Sequence, residues 1–354
     1  MSRRPQGVGV NSSPWWRRSK HAPAPRHTSY LSDQDVRDFA RKVRHEILIS
    51  LGRGNEIEPD DQGLPDPRRT WPIEQNGVPA PTPLSLDDEQ VAIAGDWHGN
   101  LPWVAHIVPA MAAAEPGMRT ILHTGNIGTW PGVLGRQFLT GIDRICLDAG
   151  IERILLTPGN HEDWPRITAG FSRRPGAPLQ LSKTVWVLPR GYRMMIGGRT
   201  FMSFGGAGSL DKQHRIEGVS WWPDEIPTEA DVAHAVTGGA VDILITHDSV
   251  DAGIPEIDDP LTRPSEWDTD VVSAATVSRQ RVTTVWETVW PRLLFHGHMA
   301  AAAASPPEAP HQVVSLGCDG QPMNAVILNM SSLHWHQVGN EDSDDSSGPA
   351  DQLT

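Results

Sequence analysis

The feature that most constrains this chain is a series of short apolar runs, several of which end in glycine and are followed by a histidine, an aspartate or an asparagine. Short apolar runs bounded in this way predict buried β-strands. Open α/β sheets collect their ligands at the carboxyl ends of the strands. The pattern therefore predicts one functional site at the edge of a sheet, and its candidate side chains are Asp96, His98, Asn126, Asn160, His161, His247 and His298.

The same runs, with the segments between them, indicate the fold class. Apolar residues recur at helical spacing from Leu101 to Met111 and again from Leu134 to Ile145. Alternating strands and helices are typical of an α/β sheet, and the later, hairpin-like strands add a second sheet. We therefore predict an α/β fold. Its predicted strands are residues 90–94, 120–123, 153–157, 184–188, 193–196, 200–204, 241–246, 292–295, 312–316 and 325–330.

The flanking segments differ from this body in composition. Residues 1–30 contain six basic and no acidic side chains, and residues 339–354 contain five acidic and no basic side chains. Both stretches lack regularly spaced apolar residues, so we predict disordered tails. Residues 31–88 are predicted to begin with an amphipathic helix over 31–51 and to continue as a linker rich in proline, glycine and aspartate. A single domain over 89–338 remains.

Charge and composition exclude several classes of protein. The net charge is −13, and an acidic body disfavours nucleic acid as a partner because contacts to phosphates dominate such binding. No apolar run approaches the ~18 residues of a membrane span. The two cysteines cannot form a disulfide framework, which favours a reducing, cytoplasmic compartment. The oligomeric state stays open.

The candidate side chains also make chemical sense together. Imidazole nitrogens, carboxylates and amide oxygens suit Mn, Fe, Zn, Co or Ni rather than metals that seek thiolates. Two such ions about 3.5–4 Å apart can clamp a phosphoryl group and generate hydroxide for an in-line attack. His161 follows Asn160 directly, so it could protonate the leaving oxygen as a general acid.

This ordered set of motifs resembles the calcineurin-like metallophosphoesterase family, over about residues 89–338. The family pattern is Asp-x-His, Gly-Asp, Gly-Asn-His-Glu/Asp, His and then Gly-His-x-His. Residues 128–132, 160–163 and 220–223 look like its bacterial and phage branch. The resemblance implies two facing mixed β-sheets flanked by helices, with two divalent metals at the strand ends.

The resemblance also implies a role for each matching residue. Asp96 and His98 would bind the first metal, and we call them the first site. Asn160, His247 and His298 would bind the second metal, and we call them the second site. His161 would be the general acid, with Asp96 orienting it.

Two positions depart from the family pattern. The bridging carboxylate is replaced by Asn126, which offers only a weak amide ligand, and the last histidine is replaced by Ala300, which offers none. The first site is therefore expected to be weak, and the second to be occupied more readily. The chain could be an engineered inactive variant, a natural pseudo-enzyme that binds a nucleotide or a protein, or an enzyme with an altered site. We predict a phosphoesterase for a phosphorylated small molecule, a nucleotide or a phosphoprotein, impaired in this sequence.

Two further residues are candidates for binding the substrate phosphate. Gly206 lies in the glycine-rich segment 205–209, which could cradle a phosphate or could simply connect elements next to the site. Arg215 could clamp the phosphate, because a guanidinium pairs bidentately with phosphate, or it could form a surface salt bridge.

Overall fold

The computed structural model describes residues 83–262 and 268–339. The predicted tails, the helix over 31–51 and most of the predicted linker lie outside the described residues. Within the described part, the chain forms two seven-stranded sheets. Both sheets mix parallel and antiparallel strands, which confirms the predicted fold class.

Sheet I carries the first half of the candidate site. In spatial order its strands are β14 (Trp335–Gln337), β13 (Ala325–Asn329), β2 (Gln90–Ala94), β3 (Thr120–His123), β4 (Arg153–Leu156), β6 (Val185–Val187) and β5 (Leu179–Gln180). The inner strands β2, β3, β4 and β6 are parallel, and β13 runs antiparallel to β2.

Sheet II carries the second half. In spatial order its strands are β1 (Ser85–Leu86), β7 (Tyr192–Ile196), β8 (Arg199–Phe204), β9 (Ile243–Thr246), β10 (Leu293–His296), β12 (Gln312–Ser315) and β11 (Ala303–Ala304). The inner strands β8, β9, β10 and β12 are parallel, β7 is antiparallel to β8, and β11 is antiparallel to β12.

Helices cover the outer face of each sheet. Buried residues of α1 (Leu101–Ala114), α2 (Gly132–Asp148) and α3 (Trp164–Arg173) pack with one face of sheet I. Those of α4 (Glu229–Thr237), α5 (Pro255–Thr262) and α6 (Thr269–Val289) pack on sheet II. A third apolar cluster fills the space between the sheets, with Ile93, Leu122, Phe201, Ile245 and Phe295 among its members. The order of layers is therefore helix, sheet, sheet, helix.

All the predicted strands occur, as do the two predicted helices α1 and α2. The prediction missed the short strands β1, β5, β11 and β14 and the helices α3 to α6. Strand β1 lies inside the segment predicted as linker, where it pairs in parallel with β7 at the edge of sheet II. Within the described ranges, no helix has the length and apolar character needed to cross a membrane.

Candidate metal and phosphate site

The loops that follow β2, β3, β4, β9 and β10 meet where the two sheets face each other. His247 Nδ1 donates to the carbonyl oxygen of Thr124 at 2.8 Å, so the loop after β9 contacts the loop after β3. The amide of His298 donates to Asp96 Oδ1 at 3.3 Å, so the loop after β10 contacts the loop after β2. The predicted side chains therefore come together, although they originate from both sheets.

The backbone of these loops is strained where the site residues lie. His98, Asn126, His298 and Ala300 have φ values of 46°, 54°, 64° and 48°, in the left-handed region that side chains usually avoid. Such conformations persist only where the surrounding structure enforces them, and they cluster at functional sites. Gly159 permits a close approach of two of these loops, because a Cβ there would lie 2.3 Å from Asn126 Oδ1.

The second site presents two converging lone pairs. His247 Nδ1 faces a carbonyl oxygen and must carry the proton. Burial lowers the pKa of His247 well below its usual value, and the charge of His298 lowers it further, so the ring is neutral and Nε2 holds a lone pair. That lone pair faces Asn160 Oδ1 at 2.9 Å. Two acceptors this close repel each other unless a cation lies between them.

A divalent cation fits the second site. Two neighbouring ligands that each lie about 2.1 Å from one ion are about 3 Å apart, which matches the 2.9 Å between Asn160 Oδ1 and His247 Nε2. The His298 ring lies beside them, 5.1 Å from the His247 ring between centroids. The three side chains therefore form a donor set that suits a borderline cation.

The first site has a different geometry, and Asn126 explains why. Its Nδ2 donates to Asp96 Oδ2 at 3.1 Å, and its Oδ1 accepts from the amide of His161 at 2.9 Å. These partners fix the orientation of the side chain, because a carboxylate can only accept and an amide N–H can only donate. The predicted role of Asn126 as a metal ligand does not agree with this orientation, since its nitrogen rather than its oxygen faces Asp96.

His98 is held between two carboxylates. Its Nδ1 pairs with Asp319 Oδ1 at 3.0 Å, and its Nε2 lies 3.6 Å from Asp96 Oδ2. Burial acts to lower the pKa of His98, but the hydrogen bond to Asp319 and the charge of Asp96 outweigh it and raise that pKa. With Ala300 offering no donor, the first site does not fit a second divalent cation.

In residues 83–262 and 268–339, no three His, Cys, Asp or Glu side chains form a ready metal cluster. At the first site Asn126 offers an amide and Ala300 offers no donor, and at the second site one of the three candidate donors, Asn160, is also an amide.

Glu162 joins two loops of the site. Its buried carboxyl accepts from the amide of Gly159 at 2.5 Å, of Ile127 at 2.8 Å and of Asn126 at 3.2 Å. Burial raises the pKa of Glu162 to about 7, although these hydrogen bonds act to lower it. The carboxyl therefore fixes the loop after β3 against the loop after β4.

His161 has a different partner from the predicted one. Its Nε2 lies 3.4 Å from Asp211 Oδ2, in the loop after β8, whereas Asp96 is engaged with Asn126 and with the amide of His298. Burial and the charge of Arg215 lower the pKa of His161 well below its usual value. The expected pairing of Asp96 with His161 is therefore replaced by one with Asp211.

The two predicted phosphate-binding residues are already engaged within the protein. The amide of Gly206 donates to the carbonyl oxygen of Pro158 at 2.7 Å, and a Cβ there would lie 2.2 Å from the carbonyl oxygen of Glu225. Only 4% of the Arg215 side chain is exposed, although its Nη1 lies 3.6 Å from Oδ1 of the more exposed Asp211. Its Nε donates to Ser220 O at 2.6 Å and its Nη2 to Asn160 O at 3.1 Å.

Two residues after β12 organise the first site and were missed by the sequence analysis. Asp319 binds His98 and also accepts from Asn100 Nδ2 at 2.7 Å. Asn324 Oδ1 accepts from the indoles of Trp97 and Trp103, and its Nδ2 donates to Asp96 O. Asp319 follows a predicted strand in the same way as the ligands do, so the rule that found them would also have found it.

The profile of the family described as calcineurin-like phosphoesterase matches residues 90–300. No curated protein sequence matches significantly.

Solved structures that resemble the chain include the protein TT1561 of Thermus thermophilus, at 12% identity and a TM-score of 0.43, covering 70% of this chain and 97% of that one. An archaeal phosphodiesterase has 12% identity and a TM-score of 0.33, covering 70% and 98%. The phosphopantetheinyl hydrolase of Mycobacterium tuberculosis has 13% identity and a TM-score of 0.37, covering 72% and 98%.

Proposed function

Because the chain belongs to the calcineurin-like phosphoesterase family, we propose that it binds a phosphoester at one divalent cation held by Asn160, His247 and His298. The observation that carries this proposal is the pair of lone pairs on Asn160 Oδ1 and His247 Nε2, which converge at 2.9 Å. A phosphorylated small molecule, a nucleotide or a phosphoprotein would supply the phosphoester.

When bound, the cation would polarise a phosphoryl oxygen as a Lewis acid. The protein's own groups do the rest. Asn160 and His247 would hold the cation between the sheets. His161 follows Asn160 directly, and its Nε2 lies 3.4 Å from Asp211 Oδ2, which orients the ring. To act as the general acid, this nitrogen would have to exchange Asp211 for the leaving oxygen.

Hydrolysis by this sequence should be impaired, because the side chains of the first site already form hydrogen bonds and ion pairs with neighbouring protein groups. The Asn126 amide already donates to Asp96, and His98 already lies between Asp96 and Asp319. A second cation would have to displace these contacts, and Ala300 gives it no donor in return.

The test is to rebuild the first site with Asn126→Asp and Ala300→His together. Metal content by elemental analysis, and turnover of p-nitrophenyl phosphate and its bis ester with Mn²⁺, would be compared with the parent. We expect one cation in the parent, two in the double variant, and a rate gain of about 10²–10⁴-fold, equivalent to several kcal/mol of charge stabilisation. The two changes should be strongly non-additive, because each completes the same site.

A further His161→Ala change in the double variant serves as the mechanistic control. It should lower the restored rate by about 10²–10⁴-fold, the usual contribution of a general acid. Two bound cations without turnover of either ester would refute the hydrolase.

The second candidate function is a binding module without turnover. The Asn126–Asp96 hydrogen bond of 3.1 Å favours it. The Asn126 amide keeps the shape of the pocket through this bond, but it is neutral and supplies no charge to bridge two cations. The module predicts that the parent binds a phosphoester tightly and leaves it intact, and that the double variant gains no activity.

A further inference from the structure

The second site can bind a cation only if the oxygen of the Asn160 amide, rather than its nitrogen, faces His247. An amide oxygen can bind a cation, whereas an amide nitrogen cannot. Without a cation, the lone pair on His247 Nε2 would favour the opposite orientation, because the amide nitrogen could then donate to it. Yet the oxygen faces His247 at 2.9 Å. Another group must hold the amide in the orientation that suits a cation.

Ser209, in the loop after β8, is the group that contacts the other end of the amide. Asn160 Nδ2 donates to Ser209 Oγ at 2.9 Å, and both residues are buried. The Ser209 hydroxyl in turn donates to Glu225 Oε1, and Arg215 Nη1 donates to the same hydroxyl oxygen. Arg215 can only donate, and the single hydroxyl proton of Ser209 is donated to Glu225 Oε1. Ser209 can therefore only accept from Asn160.

Glu225 and Arg215 are placed to keep this polarity. The Glu225 side chain is fully buried, and its Oε2 lies 3.4 Å from Arg215 Nη1. Burial raises the pKa of Glu225 to about 8. The charge of Arg215 and the hydrogen bond from Ser209 act against this rise and favour the carboxylate. A carboxylate can only accept, so Oε1 takes the hydroxyl proton of Ser209. Arg215 Nη2 also holds the backbone carbonyl of Asn160 at 3.1 Å.

We infer that Ser209, supported by Glu225 and Arg215, is a positioning residue that presents the Asn160 oxygen to the cation of the second site. This inference rests on the proposed cation site, and it gives Arg215 a role in the protein's own ligand geometry. The network fixes the orientation of the amide during folding, so the cation meets a ligand that is already aligned. Groups that orient metal ligands typically contribute 10–100-fold to metal affinity.

The experiment compares Ser209→Ala with Ser203→Ala in the full chain. Ser203 is a matched control, because it is a fully buried serine in β8 whose hydroxyl bonds Thr157 Oγ1 at 2.8 Å without touching a ligand. Isothermal titration with Mn²⁺ should give a dissociation constant about 10–100-fold higher for Ser209→Ala and an unchanged one for Ser203→Ala. The visible spectrum of the Co²⁺ form should change only for Ser209→Ala. The variant Ser209→Thr keeps a hydroxyl, so it should show the dissociation constant and the Co²⁺ spectrum of the parent.

Each outcome decides the question. Equal affinities in the parent and both alanine variants would overturn the positioning role and leave the proposed function standing. A parent that binds no cation would overturn the proposed function and this inference with it. If Ser209→Ala does not fold, proton NMR of the unmodified protein decides: we expect nuclear Overhauser effects from the Asn160 amide protons to the Ser209 β-protons. Effects to the His247 ring instead would show the reverse orientation and overturn the inference.

Discussion

His123 is a histidine that has to stay neutral while the protein is folded. It is fully buried at the end of β3, its Nδ1 accepts from the amide of Gly125 at 3.2 Å, and its ring lies edge-on to Trp97 with 4.5 Å between centroids. Burial lowers the pKa of His123 from 6.5 to about 3, and the charge of His98 adds to this. A proton can therefore bind this side chain readily only after unfolding.

This shift predicts how stability depends on pH. Between the unfolded pKa of 6.5 and the folded pKa of about 3, the unfolded chain binds one more proton at His123 than the folded chain does. The free energy of unfolding should therefore rise with pH across that window, by about 1.4 kcal/mol per pH unit for this group, and level off above it.

The variant His123→Asn isolates the effect, because an asparagine oxygen can still accept from Gly125. Urea unfolding should show a stability difference between parent and variant that is constant above about pH 7. Below pH 6.5 the difference should shrink, because only the parent has to keep His123 unprotonated. A difference that stays constant down to about pH 4.5 would contradict the assignment.

For individual residues, the sequence predicted which side chains lie near one another better than it predicted their hydrogen-bond partners. Polar residues at strand ends predicted Asp96, Asn160, His247 and His298 as neighbours, and the fold brings their loops together. The orientation of the Asn126 amide could not be predicted, because it depends on the His161 amide and on Asp96, which the fold brings from other loops. Asn324 lacked any local signal for the same reason.

At the scale of elements, Asp143 shows how one side chain connects a helix to a hairpin. It lies on α2, and its carboxylate accepts hydrogen bonds of 2.7–3.0 Å from the segment that joins β5 and β6. Its donors are the amides of Lys183 and Thr184 and the hydroxyls of Ser182 and Thr184. The carboxylate therefore attaches the helix to this hairpin at the edge of sheet I, in addition to the apolar packing of the helix on the sheet.

Asp143→Ala should lower the free energy of unfolding by about 2–3 kcal/mol, because it leaves several donors without their charged acceptor. The control is Asp148→Ala on the same helix. Asp148 is exposed, and its ion pair is a loose contact of 3.9 Å with Arg144, which is exposed as well. Its loss should therefore change the free energy of unfolding by less than about 0.5 kcal/mol. Guanidinium unfolding measures both, and equal effects would show that Asp143 contributes no more than a surface charge.

Helix α6 shows why some elements escaped prediction. Its 21 residues are rich in valine and threonine, which favour strands, and no apolar run marks it. Its buried face nevertheless repeats at helical spacing through Val271, Ala275, Ser278, Val282 and Val285. The spacing was a readable signal, but a serine within it broke the apolar pattern. Strand β1, by contrast, has two residues and is defined only by its pairing with β7.

At the scale of the whole molecule, the second site joins the two sheets. Asn160 follows β4 of sheet I, whereas His247 and His298 follow β9 and β10 of sheet II. Between the sheets lies an apolar cluster, which holds them together without directional bonds. A cation bound by ligands from both sheets would therefore act as a cross-link that exists only in the folded chain.

Such a cation should raise the melting temperature. A ligand that binds only the folded state adds about 2.7 kcal/mol at a concentration 100 times its dissociation constant. For a domain of this size, that corresponds to a rise of roughly 5–10 °C. Differential scanning calorimetry with and without Mn²⁺ should show this rise in the parent and lose it in His298→Ala, which removes a ligand from sheet II. His336→Ala, an exposed histidine on β14, is the matched control and should keep the full rise. A rise that survives in His298→Ala would place the cation elsewhere in the chain, and the two sheets would then be joined by their apolar cluster and by hydrogen bonds such as that of His247 to Thr124, without a metal cross-link.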